Sequence, residues 1–124
     1  MAHSKAVGDV IQAAELLEKE GISVEVINLR SIRPLDVDTI VKSLKKTNHL
    51  VSVEGGWPQF GVGSEILAQI MEGEGFDYLD APAVRVTGAD IPTPYAMNLE
   101  KVAFPEVQII AETVRKLSSE PTIK

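Results

Sequence analysis

The residues from Glu54 to Gly63, EGGWPQFGVG, are those in this sequence best suited to chemistry or recognition. They place four glycines, the only tryptophan, a proline and a phenylalanine between a strand-like run and a helix-like run. Glycines permit positive φ or close backbone approach, while Trp57 and Phe60 need a surface to cover. Loops at the carboxyl ends of strands carry the functional groups of open α/β sheets. We therefore expect this loop to form a contact surface.

Phosphate chemistry is the first function to test for this loop. The segment GVGSEI, 61–66, begins like a dinucleotide-binding fingerprint, but Ile66 stands where the third glycine is required. The acidic residue expected after a following strand is also missing, since Asp80 lies in a predicted loop. The amides at the start of the helix could still contact an anion. A regulatory domain that binds an anion or small ligand at the Gly61–Ser64 turn therefore stays an open alternative.

The remaining polar residues do not form a catalytic set. The sequence has no cysteine and only two histidines, His3 and His49, far apart in the chain, which disfavours a zinc site. His49 sits at the start of a strand, where a structural role is expected. Ser64 is a better helix cap than nucleophile, because no Gly-x-Ser-x-Gly turn surrounds it. The pattern predicts no catalytic, cofactor-binding or metal-binding residue in this chain.

Length, charge and hydropathy argue against several classes of function. The 124 residues fit one domain, 1–124, in which 118–124 are expected to form a frayed tail. The formal net charge is −6, and no basic cluster exceeds the Lys45-Lys46 pair, which argues against nucleic-acid binding. No apolar run approaches the length of a membrane span, and no signal peptide is recognisable at the start.

Hydrophobic periodicity predicts an alternation of helices and strands. Ser4 is expected to cap the first helix and Gly21 to end it, while Asp36 is expected to cap the second. The third helix is expected to open at Gly63 or Ser64, and ADIPTPYA, 89–96, to be extended and irregular. The predicted elements are helix 6–20, strand 22–29, helix 37–46, strand 49–53, a helix ending in the region 73–75, strand 83–86 and helix 105–117.

This alternation indicates an α/β fold with three α/β/α layers and a doubly wound, mostly parallel sheet. A helix begins directly after MAHS, so the first strand is expected to be truncated and the chain to be a piece of a longer polypeptide. A shortened strand leaves a sheet edge uncovered. We therefore expect the chain on its own to self-associate.

Two further segments suggest contact with a partner. The pairs Glu72/Glu74 and Asp77/Asp80 flank a predicted turn, either as an ordinary solvated edge or as a docking patch for a basic partner. Ile91 and Tyr95 make the proline-fixed segment too apolar for an ordinary exposed loop, so it is expected to pack against another domain or subunit.

Three long segments resemble one known family. VEVINLRSIRPLD (24–36), KTNHLVSVEGGWPQFGVGSEI (46–66) and YLDAPAVRVTGADIPTPYA (78–96) are similar to the C-terminal, transketolase-type domain of pyruvate dehydrogenase first-component beta subunits. The sequences of the loop and of the third segment are most similar to the mitochondrial form. The resemblance covers nearly the whole chain and departs from the family at the MAHS start and the SSEPTIK end.

The resemblance implies a part in a heterotetrameric pyruvate dehydrogenase that decarboxylates pyruvate and acetylates lipoyl groups. Thiamine diphosphate and Mg²⁺ would bind outside this domain, and the isolated domain would be inactive. The implied partners are an alpha subunit, a second beta subunit and the subunit-binding domain of the dihydrolipoyl acetyltransferase. The implied location is the mitochondrial matrix, with the bacterial cytoplasm as the alternative.

The resemblance also suggests roles for particular residues. The acidic residue of the family's LDAP motif takes part in docking, which points to Asp80 first and to Asp77 second. Candidates for subunit interfaces are Trp57, Phe60, Ile91 and Tyr95, with core packing as the competing explanation. A stand-alone, self-associating binding module without catalysis stays open as a function of another class.

Overall fold

A computed structural model, which describes residues 1–119, shows a parallel sheet between two layers of helices. Five α-helices, one 3-10 helix and two short strands are assigned within these residues. In chain order they are α1 (Ala6–Lys19), α2 (Val37–Thr47), β1 (Val51–Val53), α3 (Val62–Glu72), the 3-10 helix (Glu74–Tyr78), β2 (Val84–Val86), α4 (Met97–Ala103) and α5 (Val107–Ser119).

The sheet is wider than its two assigned strands. β1 and β2 pair in parallel, with Val51 opposite Val84. Ala2 forms parallel bridges to Val53 on one side and to Asn28 on the other. The order across the sheet is therefore 27–29, 1–2, β1 and β2, with the first residues of the chain in the centre. The predicted α/β fold with a parallel sheet is confirmed in the part of the chain that the structure describes.

Two hydrophobic clusters cover the two faces of the sheet. Met1 and Leu29 belong to one cluster, with residues of α2 and α3. Ala2 and Val53 belong to the other, with residues of α1 and α5. Neighbouring residues of an extended segment point to opposite faces, so Met1 and Ala2 each reach a different cluster. This arrangement produces the three layers predicted from the sequence.

Two of the three end residues predicted for α1 and α2 are confirmed, while α3 begins at Val62, one residue before the predicted start. Asp36 caps α2 as predicted, accepting hydrogen bonds from the Thr39 amide at 3.1 Å and the Thr39 hydroxyl at 2.6 Å. Gly21 follows α1 with a φ of +82°. The prediction for Ser4 is wrong, because Lys5 is the N-cap and makes no side-chain cap bond. Ser4 instead turns the chain out of the sheet with a φ of +53°.

The prediction of a strand over 22–29 is wrong for most of its length. Among these residues only Asn28 forms a bridge, to Ala2. Two elements were not predicted, the 3-10 helix and α4. Ser118 and Ser119, assigned to a frayed tail by the sequence, belong to α5, and the rest of that predicted tail lies outside the described residues.

Candidate interaction surfaces

Glu54 organises the inner side of the glycine loop. Its carboxylate is 4% exposed and accepts hydrogen bonds from the amides of Val62 at 3.0 Å and Gly63 at 3.1 Å. These amides belong to the first turn of α3, whose N–H groups have no partner within the helix. A negative charge at a helix N-terminus is also favoured by the helix dipole. Glu54 therefore links the end of β1 to the start of α3.

The glycines of GVG make room for this link. A Cβ atom at Gly63 would lie 2.5 Å from the Ser52 hydroxyl oxygen, and one at Gly61 would lie 2.5 Å from a Glu54 carboxylate oxygen. Both glycines are thus explained by the protein's own side chains. The amides considered above for an external anion are bound by Glu54. The geometry consequently gives no support to the alternative of an anion site at this turn.

Three side chains fix the outer side of the loop through hydrogen bonds. The Trp57 indole N–H donates to the Ile91 carbonyl at 2.9 Å, and the Gln59 amide donates to Asp90 at 2.9 Å. Arg85 on β2 donates to the Pro58 carbonyl and, at 2.6 Å, to the Ser64 hydroxyl. The loop is therefore held in one conformation by groups on β2, on α3 and in the segment 88–96.

This rigid loop presents aromatic side chains to solvent. Phe60 and Tyr95 are fully exposed, and Trp57 and Ile91 are 54% and 48% exposed. Phe60 also has a φ of +55°, a conformation that costs a residue with a Cβ atom energy. All four interface candidates lie outside the core in this structure. Exposed aromatic residues on a hydrogen-bonded loop are the type of group that dominates binding at protein interfaces.

Helix α4 extends the same apolar surface. Met97, Leu99 and Val102 are 74%, 55% and 77% exposed. The amide of Ala89 donates to the carbonyl of Ala103 at 2.9 Å, which ties the end of α4 to the segment 88–96. We refer to the glycine loop 54–63, the segment 88–96 and α4 as the carboxyl-end surface. Sequence reasoning found the first two parts but missed α4.

A crevice of about 720 Å³ lies beside this surface. It is bordered by His3 to Ala6 and by Gly55 and Gly56, where the chain leaves two neighbouring strands. Such a point, between strands that lead to helices on opposite faces, is where doubly wound sheets bind ligands. The charges in this crevice have both signs and do not select one class of ligand. They belong to Lys5, Asp9, Glu100, Lys101 and Glu106.

The opposite end of the sheet carries the acidic residues. We refer to Glu72, Glu74, Asp77 and Asp80 as the acidic rim, which lies near the start of β1 and β2. The amide of Asp80 donates to the Asn48 carbonyl at 3.0 Å, so its backbone is fixed to the turn before β1. Asp77 is exposed on the 3-10 helix and Asp80 is half-buried. The structure thus places both predicted docking residues on one short segment.

Lys45 compensates part of the negative charge of the acidic rim. Lys45 donates to Glu74 at 3.0 Å, and this hydrogen bond raises the pKa of Lys45. The Lys45 ammonium also lies 5.0 Å from the centre of the Tyr78 ring. The contact closes the acidic rim against α2 and reduces its negative charge.

His49 makes a structural contact in the turn before β1. His49 Nδ1 lies 2.9 Å from the Thr47 carbonyl oxygen, in agreement with its predicted structural role. Among residues 1–119 no group of three or more His, Asp or Glu side chains could hold a metal ion. In the same residues no helix has the length and apolar character needed to cross a membrane.

Comparison with known proteins places this fold in a family. The model of the transketolase C-terminal domain matches residues 1–110. A solved chain described as a split-gene transketolase, an inactive beta4 tetramer, superposes with a TM-score of 0.77 at 24% identity, over 93% of this chain and 36% of that one. The chain belongs to the transketolase C-terminal domain family.

Two curated proteins with similar sequences are of one type, pyruvate dehydrogenase E1 beta subunits. The mitochondrial pyruvate dehydrogenase E1 component subunit beta of Bos taurus is 62% identical over 116 residues, 94% of this chain and 32% of that protein. The corresponding protein of Saccharomyces cerevisiae is 61% identical over 110 residues, 88% of this chain and 30% of its own length. The chain therefore spans about a third of the curated relatives that it matches.

Proposed function

We propose that this chain is the assembly and docking domain of a pyruvate dehydrogenase E1 beta subunit, working in the mitochondrial matrix. The observation that carries the proposal is the carboxyl-end surface, a set of exposed aromatic and aliphatic side chains in a chain 62% identical to such a subunit. Within residues 1–119 no cluster of acids and histidines suggests a metal-dependent reaction. The domain would therefore act by binding other subunits.

In the whole enzyme, thiamine diphosphate would supply the chemistry that decarboxylates pyruvate. Its diphosphate and Mg²⁺ need helix amides or carboxylates as partners. The α3 amides in this chain are bound by Glu54, and the described residues contain no cluster for a divalent ion. These features support a cofactor site outside this domain.

The carboxyl-end surface is proposed to contact the alpha subunit and a second beta subunit. Large exposed apolar patches mark interaction sites in stable proteins. Measuring the mass of the chain by light scattering over a range of concentrations tests the contact with a second copy of the beta domain. Phe60→Ser or Tyr95→Ser should weaken association at least about tenfold, a loss typical of interface anchors.

Phe76→Ser is the matched control for these variants. Phe76 is also an exposed aromatic residue, at 52%, but it lies on the 3-10 helix at the other end of the sheet. The same weakening by all three variants would indicate non-specific hydrophobic association. A monomeric wild-type chain at every concentration would remove self-association from the proposal.

The acidic rim is proposed to dock the basic subunit-binding domain of the dihydrolipoyl acetyltransferase. Calorimetric titration with that domain at low and moderate salt tests this second contact. Binding should weaken with salt, and Asp80→Asn should reduce the affinity about tenfold, with a smaller loss for Asp77→Asn.

Glu18→Gln removes the same unit of charge from an exposed position on α1 and is the control. Its affinity should stay close to that of the wild type. If the affinity changes neither with Asp80→Asn nor with salt, the proposal of docking at Asp80 is wrong. Binding that depends on salt but is weakened equally by Glu18→Gln would reflect net charge alone.

A further inference from the structure

The C-terminal end of α3 is built differently from the ends of α1, α2 and α5. Each of those three helices has a lysine in its last turn, whereas α3 has no basic residue there. Amides beyond α1 and α2 donate to carbonyls in their last turns, and two serine hydroxyls donate to carbonyls near the end of α5. Among the residues that the structure describes, no group outside α3 donates to its last four carbonyls, 69–72. Such carbonyls have no partner within a helix, so α3 ends with free acceptors.

The charges around this helix end have the unfavourable sign. The C-terminus of a helix carries a partial negative charge, which cations stabilise and anions destabilise. Glu72 is the last residue of α3, and Glu74 follows two residues later. Lys45 pairs with Glu74 at 3.0 Å, but Glu72 forms no ion pair within residues 1–119. A cation from another molecule would therefore compensate both Glu72 and the end of the helix.

Two exposed apolar side chains accompany this negative charge. Met71, in the last turn of α3, is 57% exposed, and Phe76, on the 3-10 helix, is 52% exposed. Gly75 holds the 3-10 helix close to α3, since a Cβ atom there would lie 3.0 Å from two methyl carbons of Ile70. Phe76 follows directly, so its backbone lies beside α3 while its side chain faces solvent. We refer to residues 69–76 as the α3 end.

The charge of the α3 end selects the kind of partner that covers it. A second copy of the chain would bring the same negative charge to a symmetric contact, which is unfavourable. A basic partner compensates that charge. Arginine fits better than lysine, because its planar guanidinium has five N–H donors and can bond to helix carbonyls and to the Glu72 carboxylate at once.

We propose that the α3 end is the centre of the contact with the basic docking domain. An arginine of that domain caps α3 and pairs with Glu72, and an apolar side chain beside the arginine packs on Met71 and Phe76. This inference rests on the proposed docking at the acidic rim and adds a short-range contact to it. The rim charges attract the partner over a distance, whereas a desolvated arginine and an aromatic residue are the groups that supply most of the binding energy.

Glu72→Arg tests the missing cation, because it lets the chain supply its own. The variant should bind the acetyltransferase subunit-binding domain at least about thirtyfold more weakly in calorimetric titration, and its Tm should rise by about 2–4 °C. Glu18→Arg is the matched control, since it makes the same change of charge at an exposed position in the last turn of α1. That helix already has Lys19, so the control should lose only about two- to threefold in affinity and keep its Tm.

Met71→Ser and Phe76→Ser test the apolar part of the contact. Each should reduce the affinity for the same domain about tenfold at low and at moderate salt, because salt does not screen apolar contacts. Ile11→Ser removes an apolar side chain of similar exposure, 45%, from α1 and should bind like the wild type. Light scattering should show unchanged self-association for Phe76→Ser, which separates this contact from the carboxyl-end surface.

Replacing each arginine of the docking domain by lysine identifies the capping group. One replacement should cost about tenfold in affinity for the wild-type chain and little more for Glu72→Arg, because the two substitutions remove the same interaction.

The outcomes separate this inference from the docking on which it rests. If Glu72→Arg binds no worse than Glu18→Arg, or if Met71→Ser and Phe76→Ser both bind like the wild type, the α3 end is not the centre of the contact. Docking at the acidic rim would then still stand if Asp80→Asn weakens binding. A wild-type chain that does not bind the domain at either salt concentration would refute the docking and this inference together.

Discussion

The two ends of the sheet differ in chemistry and in how firmly they are built. At the carboxyl ends of the strands, Glu54, Trp57 and Arg85 hold a loop rigidly and leave Phe60 exposed. At the amino ends, the acidic rim is joined to α2 by the exposed Lys45–Glu74 pair, and the segment 23–26 makes no backbone hydrogen bond to other residues within 1–119. The first end suits a permanent apolar contact and the second a reversible, charge-dependent one.

This difference would allow the domain to bind the two kinds of partner proposed above. Apolar contacts gain most when the groups are fixed before binding, because little conformational entropy is then lost. Charged contacts change on-rates and salt dependence more than they change affinity. The two ends are separated by the length of the strands, so the two contacts need not compete.

The largest expected effect tests the rigidity of the carboxyl end. Glu54→Ala leaves the amides of Val62 and Gly63 without their buried acceptor and should lower the free energy of unfolding by about 3 kcal/mol. Urea denaturation measures this loss. Glu65→Ala, an exposed change in the first turn of α3, should cost about 0.5 kcal/mol or less and is the control. Similar losses for both variants would contradict the capping role of Glu54.

The next effect concerns the amino end and pH. Burial lowers the pKa of the Met1 amine from 8.0 to about 6, so between these values the unfolded chain binds a proton that the folded chain does not. The free energy of unfolding should therefore rise from pH 6 to pH 8, by roughly 2–3 kcal/mol from this group. Urea denaturation across this range tests it, on protein whose mass confirms Met1. The chain acetylated at Met1 should lack this dependence, and an unchanged pH profile after acetylation would refute the assignment.

A smaller effect separates stability from binding at the carboxyl end. Phe60→Gly relieves the cost of a positive φ and should raise the free energy of unfolding by about 1 kcal/mol or less, while it weakens association. Phe60→Ala should weaken association equally without that gain in stability. Thermal denaturation and light scattering on the same samples measure both quantities. A stabilised variant that associates normally would show that Phe60 is not an anchor.

The smallest expected effect is a change in affinity at the acidic rim. Lys45→Gln removes the cation that neutralises Glu74, so the affinity for the basic docking domain should rise about two- to threefold at low salt and return to the wild-type value at moderate salt. Lys19→Gln makes the same change of charge on α1, away from the rim, and should have little effect. An equal gain in both variants would mean that the partner responds to net charge and not to this surface.

The elements that the sequence predicted correctly are those whose signal is local. α1, α2 and α5 have apolar residues at helical spacing, and Asp36 is a strong cap, so their positions followed from short windows of sequence. α4 was not predicted because its apolar residues face solvent, so they do not form the periodic pattern of a helix that packs on a core. The pattern of 22–29 correctly indicates extended chain, but pairing depends on a neighbour that is distant in sequence.

The candidate site was predictable in part for the same reason. Glycines and aromatic residues concentrated after a strand pointed to the loop, and both acidic docking candidates were placed near a turn. The burial of Glu54 was missed, although a carboxylate directly before two glycines and a helix start carries a recognisable signal. The contact of Arg85 with the loop joins residues far apart in the chain and has no local signature.

The hydrogen bond between Trp57 and Ile91 has a practical consequence. Trp57 is the only indole in the chain, is about half exposed and lies on the carboxyl-end surface. Its fluorescence comes from that one surface, without background from other tryptophans. Burial of this indole by another subunit would shift its emission to shorter wavelength, whereas occupation of the acidic rim would leave it unchanged. The chain thus contains its own optical reporter of which end is engaged.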